Sequence, residues 1–152
     1  MRLFTAIIIY MTLMSGFCRN QNTFNQDTVH FKHLSEHEKS IIVKKGTEAP
    51  FSGEYDNHYE EGVYHCKACM SPLFRSKDKF NSHCGWPAFD DEIEGSVERK
   101  LDNSLGMVRT EIMCNNCGGH LGHIFRGEMF TEKNIRHCVN SISLEFKSSQ
   151  RD

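Results

Sequence analysis

Cysteines, histidines and one arginine are the residues of this chain whose types and spacing could do chemistry. Cys66-Lys67-Ala68-Cys69 and Cys114-Asn115-Asn116-Cys117 each place two thiols at the spacing a tight turn can aim at one ion. Four sulfurs suit tetrahedral zinc, with Zn–S bonds of about 2.3 Å. Such a cage has no open coordination position, so the metal is expected to be structural and reactivity has to come from elsewhere. Two other readings stay open. The pairs could be redox dithiols, although a thioredoxin-like Cys-x-x-Cys belongs in a strand-helix-strand setting that this chain does not show. They could be disulfides, if the chain works in an oxidising compartment.

The chain has seven cysteines, so Cys18, Cys84 and Cys138 remain. Cys138 lies in Arg136-His137-Cys138-Val139-Asn140-Ser141-Ile142-Ser143-Leu144-Glu145-Phe146, which reads as one strand. With a side-chain period of two, Arg136, Cys138 and Asn140 share a face with Ile142, Leu144 and Phe146. The apolar half would anchor that face and leave its polar half at the rim of a core. A thiol there beside a guanidinium is placed like a nucleophile, yet free cysteine is also among the residues most often buried for packing alone. Cys84 sits in Ser82-His83-Cys84-Gly85-Trp86-Pro87-Ala88-Phe89. Glycine beside the thiol gives it freedom to move, and the loop can present the indole of Trp86 at a pocket mouth or bury it in a core.

His120 and His123 stand three apart in Gly118-Gly119-His120-Leu121-Gly122-His123-Ile124-Phe125. In a regular strand they face opposite ways, so both can meet one site only if the backbone turns, which the glycines permit. No carboxylate or further histidine sits close by at ligand spacing, so a second metal site is not supported here. Polar loop histidines are the plain alternative.

The elements that must position these residues are short. Ser35 with Glu38 forms a capping-box signature, and Ile41, Ile42 and Val43 before Gly46 predict a short helix with a glycine stop. From Thr47 onward the helical period is lost. Runs such as Gly62-Val63-Tyr64-His65 and Met107-Val108-Arg109-Thr110-Glu111-Ile112-Met113, bounded by turn residues, predict antiparallel β structure with each Cys-x-x-Cys at a strand end. At 152 residues and 38% hydrophobic content the chain fits one domain. A net charge of -2 without a basic block gives no reason to expect nucleic acid or an anionic membrane surface as partner.

The N-terminal 18 residues read as an export signal: Met1-Arg2, an apolar run from Leu3 to Phe17, then small residues. The run is short for a membrane span, which needs about 20 apolar residues. Gly16 and Cys18 fit a cleavage site. Cys18 as a lipid-attachment cysteine is a second reading, although Ser15-Gly16-Phe17 lacks the usual leucine and small residue, and an uncleaved anchor is a third. The chain is therefore expected to be exported, periplasmic or secreted, with a membrane attachment only if lipidated or anchored at this end. Residues 19–30 are polar and rich in Asn and Gln, a linker, and residues 31–152 are expected to form the folded domain.

Taken together, Gly46-Thr47-Glu48-Ala49-Pro50-Phe51-Ser52-Gly53-Glu54-Tyr55, Gly62-Val63-Tyr64-His65-Cys66, Pro72-Leu73-Phe74, Cys84-Gly85-Trp86-Pro87-Ala88-Phe89, His120-Leu121-Gly122-His123-Ile124-Phe125 and Arg136-His137-Cys138-Val139-Asn140-Ser141 resemble, in order, the motifs of the B-type methionine-R-sulfoxide reductases. The resemblance runs from about residue 34 to 147. It implies a mainly β fold of two antiparallel sheets in a tent-like arrangement with one structural zinc and a short N-terminal helix. It implies Cys138 as nucleophile and Cys84 as resolving cysteine, with His120, His123, Asn140 and Arg136 in catalysis and Trp86 and Phe125 around the substrate methyl. Cys66, Cys69, Cys114 and Cys117 match its zinc ligands. The implied substrates are oxidised proteins bearing methionine R-sulfoxide, and the implied electron donor is thioredoxin or an exported thioredoxin-like dithiol.

Two departures stand out. Arg126-Gly127-Glu128 replaces the usual Asp-containing segment, leaving Glu128 as the candidate substitute, and His137 stands where tyrosine is common. Two functions of other classes compete. A zinc-ribbon interaction module would leave Cys138 unreactive and the histidine pair unexplained. A Cys/His hydrolase would need no Cys84.

Overall fold

The computed structural model describes residues 29–149. The leader expected over 1–18, and all but the last two residues of the linker expected over 19–30, lie outside them. The first element is α1 (Glu36–Ile42), which starts where the capping box predicts. Glu38 N donates to Ser35 Oγ at 3.2 Å and Ser35 N donates to Glu38 Oε2 at 2.7 Å, satisfying two N-terminal donors reciprocally. The stop differs from expectation. Lys45, at φ 60°, is the left-handed residue, and Gly46 follows it, donating to Ser40 O at 3.1 Å. A Cβ on Gly46 would sit 2.7 Å from Ser40 O, so glycine is required there by close approach.

Nine strands follow among the described residues: β1 (Gly62–Cys66), β2 (Pro72–Arg75), β3 (Lys79–Phe80), β4 (Ala88–Phe89), β5 (Val97–Asp102), β6 (Arg109–Cys114), β7 (His120–Arg126), β8 (Ile135–Val139) and β9 (Leu144–Ser148). They form two antiparallel sheets, of order β2-β1-β9 and β3-β4-β8-β7-β6-β5. Among the described residues the mainly β reading with one short helix is what the chain adopts. β1 and β6 each end on the first cysteine of a Cys-x-x-Cys, as the sequence predicts.

The inner faces of the two sheets meet through aromatic rings. Phe74 of β2 stacks on Phe89 of β4 with centroids 4.5 Å apart, and Tyr64 of β1 meets Phe89 edge-on at 5.1 Å. All three are fully buried, and such pairs add about 0.5–1.5 kcal/mol each beyond their area. Leu34 and Ile42 join the same core from the helix side.

One expectation fails. Arg136–Phe146 is two strands, not one. β8 ends at Val139, Ser141–Ser143 make a 3-10 turn, and β9 continues in the other sheet. The backbone N–H groups of Ser141 and Ile142 are both taken by the carboxylate of Glu48, and Ser143 Oγ donates to His120 O at 2.9 Å. These distant partners turn a segment whose alternation looks continuous. Cys138 and Leu144 therefore belong to different sheets, and the anchor of Cys138 is β8 between β4 and β7.

Candidate active site

Register places the thiols. Cys138 on β8 lies opposite Ala88 on β4 and His123 on β7. Val139 N donates to Pro87 O at 3.0 Å, which draws the Ser82–Pro87 loop over β8. Within that loop His83 and Gly85 take φ values of 56° and 87°, and Phe51 N donates to Gly85 O at 2.8 Å. The result is Cys84 Sγ 3.9 Å from Cys138 Sγ, with both cysteines free.

Two polar side chains bear on this pair. Arg136 Nη1 lies 3.6 Å from Cys84 Sγ, and the Ser82 hydroxyl lies 2.9 Å from it. The hydrogen bond from the Cys138 thiol, helped by Ser82 and Arg136, holds Cys84 down to about 5, whereas the same bond and burial push Cys138 up. At neutral pH the pair thus carries one proton and one anionic charge, the anion favoured on Cys84 and the proton on Cys138. Arg136 is itself fixed. Glu128 takes its Nε at 2.7 Å and its Nη2 at 2.8 Å in a bidentate clasp, and its guanidinium lies 4.4 Å above the Phe125 ring. Glu128, the candidate substitute in the Arg126-Gly127-Glu128 departure, is thus the carboxylate that holds Arg136.

The histidines meet because β7 is irregular. Ile112 pairs with Gly122 and Met113 with His120, so Leu121 is an extra residue that inverts the alternation. A Cβ on Gly122 would collide with the Cys138 carbonyl, so only glycine lets β7 approach β8 this closely. The two imidazoles end 5.6 Å apart, edge to face. They differ in setting. His123 faces a cavity of about 140 Å³ also lined by Thr47, Trp86, Arg109, Gly122, Phe125, Cys138, Val139 and Asn140. His120 does not line it. Its ring is buried behind, with Nδ1 2.7 Å from Glu111 Oε1, and burial outweighs that carboxylate to push its pKa down.

Trp86 and Phe125 both line the cavity, and the indole Nε1 donates to Glu48 O at 3.1 Å. Asn140 lines it too, but its amide is committed. Oδ1 accepts from Glu48 N at 3.1 Å and Nδ2 donates to Leu121 O at 3.2 Å. Glu48 is the hub of this corner, touching Asn140, Trp86, Ser141 and Ile142, and burial raises its pKa although the Ser141 and Ile142 amides oppose that. His137 points to the other side of β8, where Nδ1 meets Phe89 O at 3.0 Å and Nε2 meets Glu92 at 2.5 Å.

Sequence reasoning missed Glu48, Asp102, Arg109 and Glu111. Arg109 and Glu111 carried a readable signal, charged residues two apart in a run otherwise read as a strand. Asp102, at the far end of a different strand, carried none.

Away from the cavity, Cys66, Cys69, Cys114 and Cys117 bring their sulfurs within 4.8 Å of one another, and these four could hold a metal ion. Two of the separations, Cys66 to Cys117 and Cys69 to Cys114, are 3.6 Å, against roughly 3.8 Å between sulfurs on a tetrahedral zinc. Each Cys-x-x-Cys turn closes alike. Met70 at φ 60° and Gly118 at φ 74° donate to Cys66 O and Cys114 O, both at 2.8 Å. Number, spacing and softness of the donors fit zinc.

A family model described as the SelR domain matches residues 34–148. The chain is 49% identical over 119 residues to peptide methionine sulfoxide reductase MsrB of Teredinibacter turnerae, covering 77% of this chain and 87% of that one. To MsrB of Variovorax paradoxus it is 50% identical over 123 residues, covering 72% and 90%. Peptide methionine sulfoxide reductase B3 of Arabidopsis thaliana is 53% identical over 114 residues, covering 74% of this chain and 64% of that protein. Among solved structures, that of the Mis18 'Yippee-like' domain is similar at a TM-score of 0.49 with 18% identity, covering 60% of this chain and all of that one.

Proposed function

The chain belongs to the SelR-domain family of B-type methionine-R-sulfoxide reductases, and on that premise we propose that Cys138 attacks the sulfoxide and Cys84 resolves the product. The observation that carries this assignment of roles is the sulfur pair. Cys138 is in the cavity wall, and Cys84 stands 3.9 Å away outside it, so only one of the two thiols meets a bound substrate first. A hydrolase using Cys138 would have no use for that second thiol.

A sulfoxide sulfur is electrophilic, but its oxygen leaves only as it gains a proton. The Cys138 thiolate and one proton convert R–S(O)–CH3 to R–S–CH3, and the oxygen passes to sulfur as a Cys138 sulfenic acid. Passing the shared proton across to Cys84 supplies the thiolate, and Arg136 stabilises the anion. His123 is placed to deliver the proton to the oxygen, with His120 behind it. Trp86 and Phe125 hold the methyl, worth about 0.8 kcal/mol, enough for orientation. The Cys84 thiol then condenses with the sulfenic acid, releasing water and leaving a Cys84–Cys138 disulfide. An external dithiol, thioredoxin or a thioredoxin-like protein, reduces that bond and becomes oxidised.

Cys66, Cys69, Cys114 and Cys117 would hold one zinc ion that supplies a structural cross-link and takes no part in these steps. The apolar run at 3–17 supports an exported protein, periplasmic or secreted, with Cys18 as the attachment point if the chain is lipidated. Among the described residues no helix is long and apolar enough to cross a membrane. In single-turnover assays with a peptide bearing methionine R-sulfoxide, Cys138→Ser is expected to lose the reaction by at least ~10⁴-fold. Cys84→Ser should give one equivalent of methionine and then stop with thioredoxin as reductant. Methionine formation by Cys138→Ser would overturn the assignment.

A further inference from the structure

The two histidines are held by the same kind of chain, a carboxylate backed by a cation, but through opposite ring nitrogens. For His120 the chain is Nδ1 to Glu111, and Glu111 Oε2 to Lys45 Nζ at 2.7 Å. For His123 it is Nε2 to Asp102 Oδ2 at 2.8 Å, and that same oxygen to Arg109 Nη2 at 2.8 Å. An ionised carboxylate only accepts, so the nitrogen facing it carries the proton. His120 is thereby left with Nε2 as its uncommitted atom, buried and without a partner among the described residues. His123 is left with Nδ1, on a ring that lines the cavity.

We infer that Asp102 is a positioning residue for His123, holding Nε2–H so that Nδ1, after taking up a proton from solvent, is the nitrogen that gives it to the sulfoxide oxygen. The placement is built into the sheet. Asp102 and Arg109 are directly opposed at the end of the β5–β6 pair, Glu111 is opposed to His123 on the β6–β7 pair, and the period of two puts Asp102, Arg109, Glu111 and His123 on one face. Ser104 further fixes the carboxylate, its backbone N–H donating to Oδ1 at 2.9 Å, and Ser104, His123 and Arg109 together keep Asp102 ionised. Arg109 has a second bearing on the site. It lines the cavity, its Nε is buried without a partner among the described residues, and Asp102 is the counter-charge on its Nη2.

This inference rests on the reductase reading and deepens it, and the two fail separately. In the wild-type protein, nitrogen-15 NMR of the His123 ring is expected to show the Nε2–H form when neutral, a readout that needs no variant. An Nδ1–H form would overturn the inference. Asp102→Asn should lower kcat about 10²-fold with KM changed by less than about 2-fold and should redistribute the His123 ring proton. Asp102→Glu should recover part of the rate. Unchanged kcat and an unchanged ring proton in Asp102→Asn would also overturn it. A wild-type protein without sulfoxide reduction would instead sink the functional reading.

Discussion

Two groups of sulfur atoms in this chain have nearly the same spacing and opposite surroundings. In the four-cysteine cluster neighbouring sulfurs are 3.6 Å apart, and in the Cys84–Cys138 pair they are 3.9 Å apart. The cluster is closed. Cys66, Cys114 and Cys117 are buried, the turns are pinned by backbone bonds, and among the described residues no arginine or lysine hydrogen-bonds its sulfurs. The pair is open on a cavity and has Arg136 beside it, itself locked by Glu128. Spacing alone therefore does not separate a structural thiol from a reactive one. The source of the balancing positive charge does. Four thiolates without a protein cation call for a metal ion, whereas one thiolate between two sulfurs is balanced by a guanidinium.

The largest effect should come from breaking the cluster. Structural zinc contributes on the order of 10 kcal/mol to small sites, so Cys114→Ser, or prolonged chelation, is expected to unfold the chain. Circular dichroism and metal analysis read this directly, and Cys84→Ser should keep both its metal and its melting temperature within a few degrees. A folded, metal-free Cys114→Ser protein would remove the distinction between the regions.

A smaller effect concerns the charge on the pair. With Cys84 held down to about 5, the thiolate is present above that pH and is lost as pH falls through it, so alkylation of the pair should rise with a midpoint near 5. Arg136→Ala should move that midpoint upward, by less than about 1 unit because the Cys138 hydrogen bond is the larger cause, since the removed charge stabilised the anion. Glu128→Ala frees the guanidinium but leaves its charge, and should move it less. A midpoint indifferent to Arg136 would leave the pair without its proposed counter-charge.

The same contrast separates what was legible in the sequence from what was not. The cluster was readable because all four cysteines lie within two short local patterns at strand ends. The helix start was readable because Ser35 and Glu38 cap it locally. Cys138, Cys84, Trp86, Phe125 and the histidines were legible as motifs, and the glycines correctly signalled that β7 must deviate. The break after Val139 was invisible. Ser141 and Ile142 turn because Glu48, more than 90 residues earlier, takes their amides, and no local pattern encodes that bond. Asp102 was missed for the same reason, since only strand pairing brings it to His123. The resemblance implies Asn140 in catalysis, and the two hydrogen bonds of its amide, to Glu48 and Leu121, are long-range contacts that no local pattern shows.

The most direct test of the division between the two regions is to map disulfides by mass spectrometry after one equivalent of methionine R-sulfoxide peptide has reacted with reduced, metal-loaded protein. A single Cys84–Cys138 bridge, with Cys66, Cys69, Cys114 and Cys117 still retaining metal, is the predicted result. A bridge within either Cys-x-x-Cys, with Cys84 and Cys138 still free, would contradict it.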